Sequence, residues 1–280
     1  MTRLSIITVN YNNAKGLDKT IRSVKNQTCS DFEYIVIDGG STDESLSVIK
    51  EHSQSITYWV SEPDRGIYHA MNKGIMASNG EYLQFLNSGD WFVSESVLKK
   101  IFDAGLNEDI VYGDVNYEFS DGRFEPARIG NEDAITMAYF YRHMFPHQAS
   151  FISKKLFSMD LYDENLKIIA DWKFFIDRII VKNCSIRKLN FPVVNYDMSG
   201  ISSQSKYLEM HNNEKQQVLN QLLPPRITAD YEKMISAYES PILKHLPYLN
   251  KTTGFHSFIS KLVELFIKAH KRINDPDKKL

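Results

Sequence analysis

Apolar positions in this chain follow two alternating rhythms. Leu4 to Val9 is a short β-branched run, stopped by Asn10-Tyr11-Asn12-Asn13, after which Leu17, Ile21 and Val24 recur at helical spacing as far as Asn26. The pattern repeats. Phe32 to Ile37 reads as a second strand, ended by Asp38-Gly39-Gly40-Ser41, and Ser41 or Thr42 is placed to cap a helix running through His52. A short third strand is predicted over Ile56–Val60, a helix over Ile67–Ala77, a fourth strand over Tyr82–Leu86, and a helix over Ser94–Phe102 with Ser94 as its cap. Strands alternating with helices predict parallel pairing through crossovers, so the first hundred residues read as half of a doubly wound α/β sheet.

After Asp109 the texture changes. Ile110-Val111-Tyr112 suits another strand and Tyr117–Phe124, with Asp121-Gly122, a hairpin, so antiparallel structure is expected from here. Ala170–Val181 is amphipathic, with Trp172, Phe175, Ile176, Ile179 and Ile180 on one stripe; a polar helical region spans Lys206–Leu223 and Pro224-Pro225 should end it. A last stripe joins Phe255, Phe258, Ile259, Leu262, Val263, Phe266, Ile267 and Ile273, with Lys261, Lys268, Lys271 and Arg272 elsewhere on the helix. Such a basic amphipathic helix either lies on an anionic bilayer or packs on protein.

Composition then removes whole classes of function. The 280 residues carry 33 Lys/Arg against 35 Asp/Glu, a net −2, and no basic cluster accompanies a nucleic-acid motif, so nucleic acid is not an expected partner. The charge is unevenly shared: residues 251–280 hold seven Lys/Arg and three Asp/Glu. Cys29 and Cys184 have no zinc or disulfide spacing, which suits a reducing cytoplasm. The N-terminus has no secretion signal, and nowhere do ~18 apolar residues run without a charge, as a membrane-spanning helix would require.

Ligands of open parallel sheets bind beyond the carboxyl ends of the strands, where this sequence puts four polar, turn-forming clusters: Thr8–Asn13, Asp38–Asp43, Glu62–Gly66 and Asn87–Asp90. Each alone could be a turn or a helix cap. Together on one edge they suit a nucleotide. Neither G-x-G-x-x-G after the first strand nor G-x-x-x-x-G-K-S/T occurs, so phosphates must be held another way, and Asp90 is the candidate ligand for Mg²⁺ or Mn²⁺ bridging two phosphate oxygens.

Ser5-Ile6-Ile7-Thr8-Val9-Asn10-Tyr11-Asn12, Asp38-Gly39-Gly40-Ser41-Thr42-Asp43 and Asn87-Ser88-Gly89-Asp90 resemble the family 2 inverting glycosyltransferases, in their bacterial polysaccharide-building branch. The likeness is strong over about the first ninety residues, weaker through His147-Gln148 and Ala170-Asp171-Trp172, and absent beyond about Leu223. It implies a GT-A fold, a mostly parallel central sheet flanked by helices: residues 1–223 as the transferase domain, its nucleotide-sugar half about 1–115 and its acceptor half about 116–223, with 224–280 as a helical C-terminal extension. By the same resemblance Thr8, Asn10, Asn12, Asp38, Glu62, Asp64, Arg65, Asn72 and Ser88 would contact the donor and Asp90 would hold the metal. The signature D-x-D reads Ser88-Gly89-Asp90 here and lacks its first carboxylate, while the usual acidic pair of the second motif reads Asp38-Gly39.

Inverting transfer needs charge to be neutralised on the leaving nucleoside diphosphate and a base on the opposite face of the sugar. The metal and Arg65 answer the first need. Asp171 resembles the family's catalytic Asp, here preceded by Ala170 rather than Glu; read without the family it could equally cap the helix. His147, Gln148 and Trp172 are candidate contacts to diphosphate, metal or acceptor, although Trp172 also suits a core. The expected activity is metal-dependent inverting transfer of a hexosyl or N-acetylhexosaminyl group from a nucleotide sugar, expected to be a UDP-sugar, to a hydroxyl of a growing surface glycan or lipid-linked oligosaccharide. The rivals are a nucleotide-sugar-binding protein without turnover and a sugar-1-phosphate nucleotidyltransferase, whose basic glycine-rich loop is not matched by Asn10–Gly16. A cytoplasmic protein is expected, with 255–273 as a peripheral contact to the inner face of the plasma membrane; self-association stays open.

Overall fold

The computed structural model describes residues 2–119, 121–198, 200, 205–239, 258 and 260–268. The chain divides into two units, residues 1–222 and 223–280.

In the first unit, β1 (Leu4–Asn10), β2 (Phe32–Asp38), β3 (Tyr58–Ser61) and β4 (Tyr82–Phe85) pair in parallel in the order β3-β2-β1-β4. The first, second and fourth are buried along nearly their whole length because helices cover both faces. α1 (Ala14–Lys25) sends Leu17, Ile21 and Val24 against Ile6, Tyr34 and Val36 on one face. On the other, α3 (Ile67–Ala77) approaches so closely that a methyl group at Gly74 would strike Ile7.

Two expected caps are corrected. α2 (Ser45–Glu51) begins after Glu44, because Ser41 donates its hydroxyl to Asp38 and Thr42 gives its N–H to Asn12 instead of opening a helix. Likewise α4 (Val97–Ala104) starts after Ser96 rather than Ser94, since a short strand, β5 (Trp91–Phe92), intervenes.

Antiparallel pairing enters after Asp109. β6 (Ile110–Glu118) and β7 (Phe124–Ala127) form the hairpin, turning through Gly122 at φ +80°, a conformation that suits glycine. α5 (Met137–Arg142) follows, and β8 (Ser150–Ser153) runs antiparallel between β4 and β6, joining the two halves into one sheet. α6 (Ala170–Phe175) continues to Val181 with π-helical pitch; β9 (Ile186–Asp197) then lies parallel to β6 and antiparallel to β5. α7 (Leu208–Leu222) closes the unit.

The second unit holds α8 (Pro225–Glu239) and a helical stretch over 260–268. The prolines do end α7, but Pro225 also opens α8, where its missing N–H costs nothing because a first-turn N–H has no helical partner. Of the C-terminal stripe, Phe258, Leu262, Val263, Phe266 and Ile267 are described and exposed. Phe255, Ile259, Ile273, Lys271 and Arg272 lie outside the described residues. No helix among the described residues is long and apolar enough to cross a membrane.

Candidate active site

Strand register builds the first part of the site. It sets Asn10 beside Asp38 and Asp38 beside Ser61, so three polar side chains line up across the carboxyl ends of β1, β2 and β3. Asp38 is fully enclosed, and every donor in reach points at it: Asn10 Nδ2 at 2.7 Å, Ser41 Oγ at 2.6 Å, Ser61 Oγ at 2.7 Å and the Ser41 N–H at 3.0 Å. Burial alone would raise its pKa; these hydrogen bonds outweigh burial and hold the carboxyl below its ordinary value. Asn12 ties the rim to the next loop, receiving the Thr42 N–H at 2.8 Å on Oδ1 while its own N–H goes to Ser41 Oγ at 2.8 Å. Asp64 closes the side, accepting the Gly66 N–H at 2.8 Å; a methyl at Gly39 would collide with its Oδ2 and crowd the Tyr11 ring. Tyr11 is 66% exposed, an open aromatic face at the mouth of this rim.

Asp90 forms a different corner. It too is buried, yet the Asp197 N–H on Oδ1 at 3.0 Å is its hydrogen bond, and burial pushes its pKa up to about 7, with the nearby Asp197 carboxylate adding to the rise. Gly89, at φ +109°, lets the chain turn back here with Asp197 Oδ2 beside it. The cations in range are His147 when protonated and Lys19, which lies 3.1 Å from the Trp91 ring centroid and pairs with Glu118. A buried carboxylate beside a second one, short of compensating charge, is a donor set that suits a hard divalent cation. Among the described residues no group of three His, Cys, Asp or Glu side chains converges, so further ligands would come from phosphate oxygens or water.

Asp171 is not a helix cap. The α6 N-cap is Ile169, without a side-chain bond, and the Asp171 carboxylate turns inward. Its Oδ2 lies 2.7 Å from His147 Nδ1 and its Oδ1 accepts the Tyr68 hydroxyl at 2.8 Å. Burial would raise its pKa, but the hydrogen bond and charge of His147, then Tyr68, bring it below the ordinary value. Tyr68 is held well above its own, by burial and by that carboxylate. On the far side of the ring, His147 Nε2 is 3.2 Å from Asn87 Nδ2. The imidazole therefore bonds Asp171 on one side and Asn87 on the other, and the Asn87 carbonyl in turn accepts the Asp90 N–H at 3.0 Å, which links the two aspartates through one short run of contacts.

Three of the named candidates are enclosed and bonded to other parts of the protein. Thr8 is wholly enclosed and gives its hydroxyl to the Leu86 carbonyl at 2.7 Å, bracing β1 against the loop after β4. Asn72 bridges to the Tyr162 backbone in both directions, at 2.9 and 3.0 Å, and to Glu164, so it fixes the 162–164 segment. Trp172 is buried, its indole N–H on the Phe140 carbonyl at 3.1 Å: a core residue. Of the rest, Gln148 is buried with its carbonyl on Gln84, Ser88 gives its hydroxyl to the Asn13 carbonyl at 3.2 Å, and Glu62 is half exposed and paired with Lys73 at 2.7 Å. Arg65 stays largely exposed beside Glu164 at 2.5 Å. Sequence reasoning missed Tyr68, Asp197 and Ser61, and named Asn87 only as part of the Asn87–Asp90 cluster. Only Ser61 had a readable signal, as the polar end of an apolar strand.

Among solved structures, Staphylococcus aureus TarS 1–349 in complex with UDP-GlcNAc superposes with a TM-score of 0.62 at 17% identity, covering 90% of this chain and 80% of that one. With the same fragment in complex with UDP the TM-score is 0.58 at 19% identity, over 70% of this chain and 60% of that one. The fold is that of the GT-A glycosyltransferases. Residues 5–162 match the sequence model of Glycosyl transferase family 2, and the chain belongs to that family. It is 31% identical over 207 residues to an uncharacterized glycosyltransferase of Mycobacterium tuberculosis, covering 71% of this chain and 77% of the relative. Over 203 residues it is 30% identical to a PGL/p-HBAD biosynthesis glycosyltransferase of Mycobacterium bovis, covering 70% and 77%.

Proposed function

We propose that this family 2 glycosyltransferase moves a hexosyl or N-acetylhexosaminyl group, with inversion, from a UDP-sugar to a hydroxyl of a growing surface glycan or lipid-linked oligosaccharide. The observation that carries the reading is a chain of contacts in which Asp171 bonds His147, His147 meets the Asn87 side chain and the Asn87 carbonyl accepts the Asp90 N–H, next to a rim where hydrogen bonds hold the Asp38 carboxyl below its ordinary pKa. On that rim Asp38, with Asn10 and Asn12, takes the base or ribose. Tyr11 offers a stacking face, Asp64 and Arg65 line the mouth, and Glu62 and Ser88 lie at its margin. A structural neighbour solved with UDP-GlcNAc supports the choice of a UDP-sugar as donor.

Asp90, with Asp197 beside it, would hold Mn²⁺ or Mg²⁺, which when bound neutralises charge on the departing diphosphate. The chain's own contribution opposite is the Asp171–His147 pair, which accepts the acceptor's proton. Family membership sets the nucleotidyltransferase aside. Binding without turnover is the second reading, favoured by Ser88 standing where the signature has a carboxylate. The exposed stripe around Phe258, Leu262 and Phe266, with Lys261 and Lys268, would lie on the inner face of the plasma membrane; pelleting with anionic but not neutral vesicles tests it, and self-association is the other outcome.

The test is a panel of nucleotide sugars with Mn²⁺. One donor should raise the melting temperature and release its nucleoside diphosphate slowly to water. Stabilisation without release by any acceptor would leave the binding reading standing; no stabilisation by any donor would remove both.

A further inference from the structure

Basic side chains gather where α7 meets the carbonyl end of α5, and no acid among the described residues pairs with them. Lys215 on α7 lies over the Trp172 ring, its Nζ 5.6 Å from the centroid, and gives one N–H to the Tyr141 carbonyl at 2.6 Å. An ammonium has three donors, so two are left. Arg142, in the last turn of α5, and His143, its C-cap, are exposed, and neither side chain has a hydrogen bond or ion pair with a described residue. Burial lowers the His143 pKa, and the charges of Arg142 and Lys215 lower it further, with no carboxylate of the described residues opposing them. One turn before Lys215, His211 Nδ1 is buried without a hydrogen-bond partner. Attraction to a helix carbonyl end uses one donor of Lys215 and leaves the guanidinium, the imidazole and that ring nitrogen idle. Cations held together without an acid repel one another, a cost that an arriving anion relieves.

The surroundings say which anion. Arg142 presents a planar fork suited to phosphate. Apolar side chains adjoin the cluster: Met144 follows His143, and Leu208, with His211 and Lys215 at i+3 and i+7, opens the same face of α7; the two are 41% and 61% exposed. The cluster also lies beside the catalytic corner. Trp172, under Lys215, follows Asp171, and the four residues from His143 to His147 span at most about 14 Å. We infer that this cluster seats the diphosphate of a lipid-linked sugar acceptor, with the lipid's first carbons on Met144 and Leu208 and the sugar extending toward Asp171. The inference rests on the transferase reading and narrows it, from two acceptor classes to the lipid-linked one. Arg142, His143 and Lys215 bind the acceptor and leave the bond-making step to Asp171.

Calorimetric titration of the full chain with geranyl diphosphate tests the seat, in EDTA so that no divalent cation draws the probe to Asp90. The wild type should bind it, and R142Q/H143Q, which changes only exposed side chains, and K215M should each weaken binding at least about tenfold. In the same variants UDP affinity with Mn²⁺, and nucleoside diphosphate release to water from whichever donor the panel identifies, should stay within about twofold. Two further probes fix the source of the phosphate. Inorganic pyrophosphate should bind at least about tenfold more weakly than geranyl diphosphate, because it has no carbons to bury. Phosphatidylglycerol vesicles should pellet the wild type and R142Q/H143Q equally. The inference is overturned if the wild type does not bind geranyl diphosphate, if R142Q/H143Q binds it as tightly, if pyrophosphate matches it, or if vesicle binding depends on Arg142 and His143. A wild type that releases nothing from any donor condemns the transferase reading instead and leaves the titration to judge the seat.

Discussion

Asp38 and Asp90 are both buried aspartates at the carboxyl edge of the same parallel sheet, and they have been driven in opposite directions. Asp38 receives side-chain donors from Asn10, Ser41 and Ser61 and sits below the ordinary carboxylate range; Asp90 keeps the Asp197 N–H, faces a second carboxylate and rises to about 7. The difference separates two kinds of readiness. A carboxylate whose charge the protein has already satisfied can recognise a neutral hydroxyl or imide without moving. One whose charge is left unsatisfied gains most from a cation that arrives with the substrate.

Four changes would break or sharpen this contrast. The largest effect is expected at Asp171: D171N should lower transfer about 10³-fold while UDP affinity, read calorimetrically, stays within about twofold. Next, D38N leaves Asn10, Ser41 and Ser61 pointing at a neutral amide. UDP should bind about ten- to a hundredfold more weakly, in line with ~1.5–3 kcal/mol for a hydrogen bond to a charged group.

The third concerns pH. A carboxyl whose folded pKa is raised contributes stability that is fully present below its unfolded value, near 3.8, and lost as pH climbs through about 7. D90N removes that loss. Without divalent metal it should melt at the same temperature as the wild type near about pH 4 and be more stable by ~2 kcal/mol at about pH 8, and it should lose the extra stabilisation that Mn²⁺ with UDP gives the wild type. Denaturant melts at the two pH values check this. The smallest effect lies behind the site: Glu214 on α7 accepts the Lys167 and Ile168 N–H groups at 2.6 and 3.0 Å, and the segment they clamp leads into Asp171. Since a glutamine offers one oxygen where the carboxylate offers two, E214Q should cost ~1 kcal/mol in urea unfolding and a few-fold in turnover.

The two corners also differ in how far the sequence could reveal them. Asn10 and Asp38 end their strands and Asp64 lies in the loop after β3, so hydrophobic period and turn residues alone put them on one edge. Parallel register then does the rest, because it joins neighbours at matching strand ends. The Asp171 corner is assembled by contacts with no local trace. Tyr68 and Asp171 are separated by 103 positions and Asn87 and His147 by 60, and nothing in the spacing of α3 says that its first turn will meet α6. The same holds for Asp197, which reaches Asp90 only because β9 returns beside β5. Thr8, Asn72 and Trp172 are hard to read for the opposite reason. Residues next to a ligand and residues bracing the wall behind it carry the same polar or aromatic side chains, and only packing tells them apart.

The claim on which the rest depends is that the Asn10–Asp38–Ser61 row is a preformed seat for a uridine nucleotide. Titrating UDP into wild-type and D38N protein in a calorimeter, with Mn²⁺ present, tests it most directly. Saturable binding to the wild type, weakened at least about tenfold in D38N, is the predicted result. Equal affinity in the two proteins, or no binding to the wild type, would contradict it.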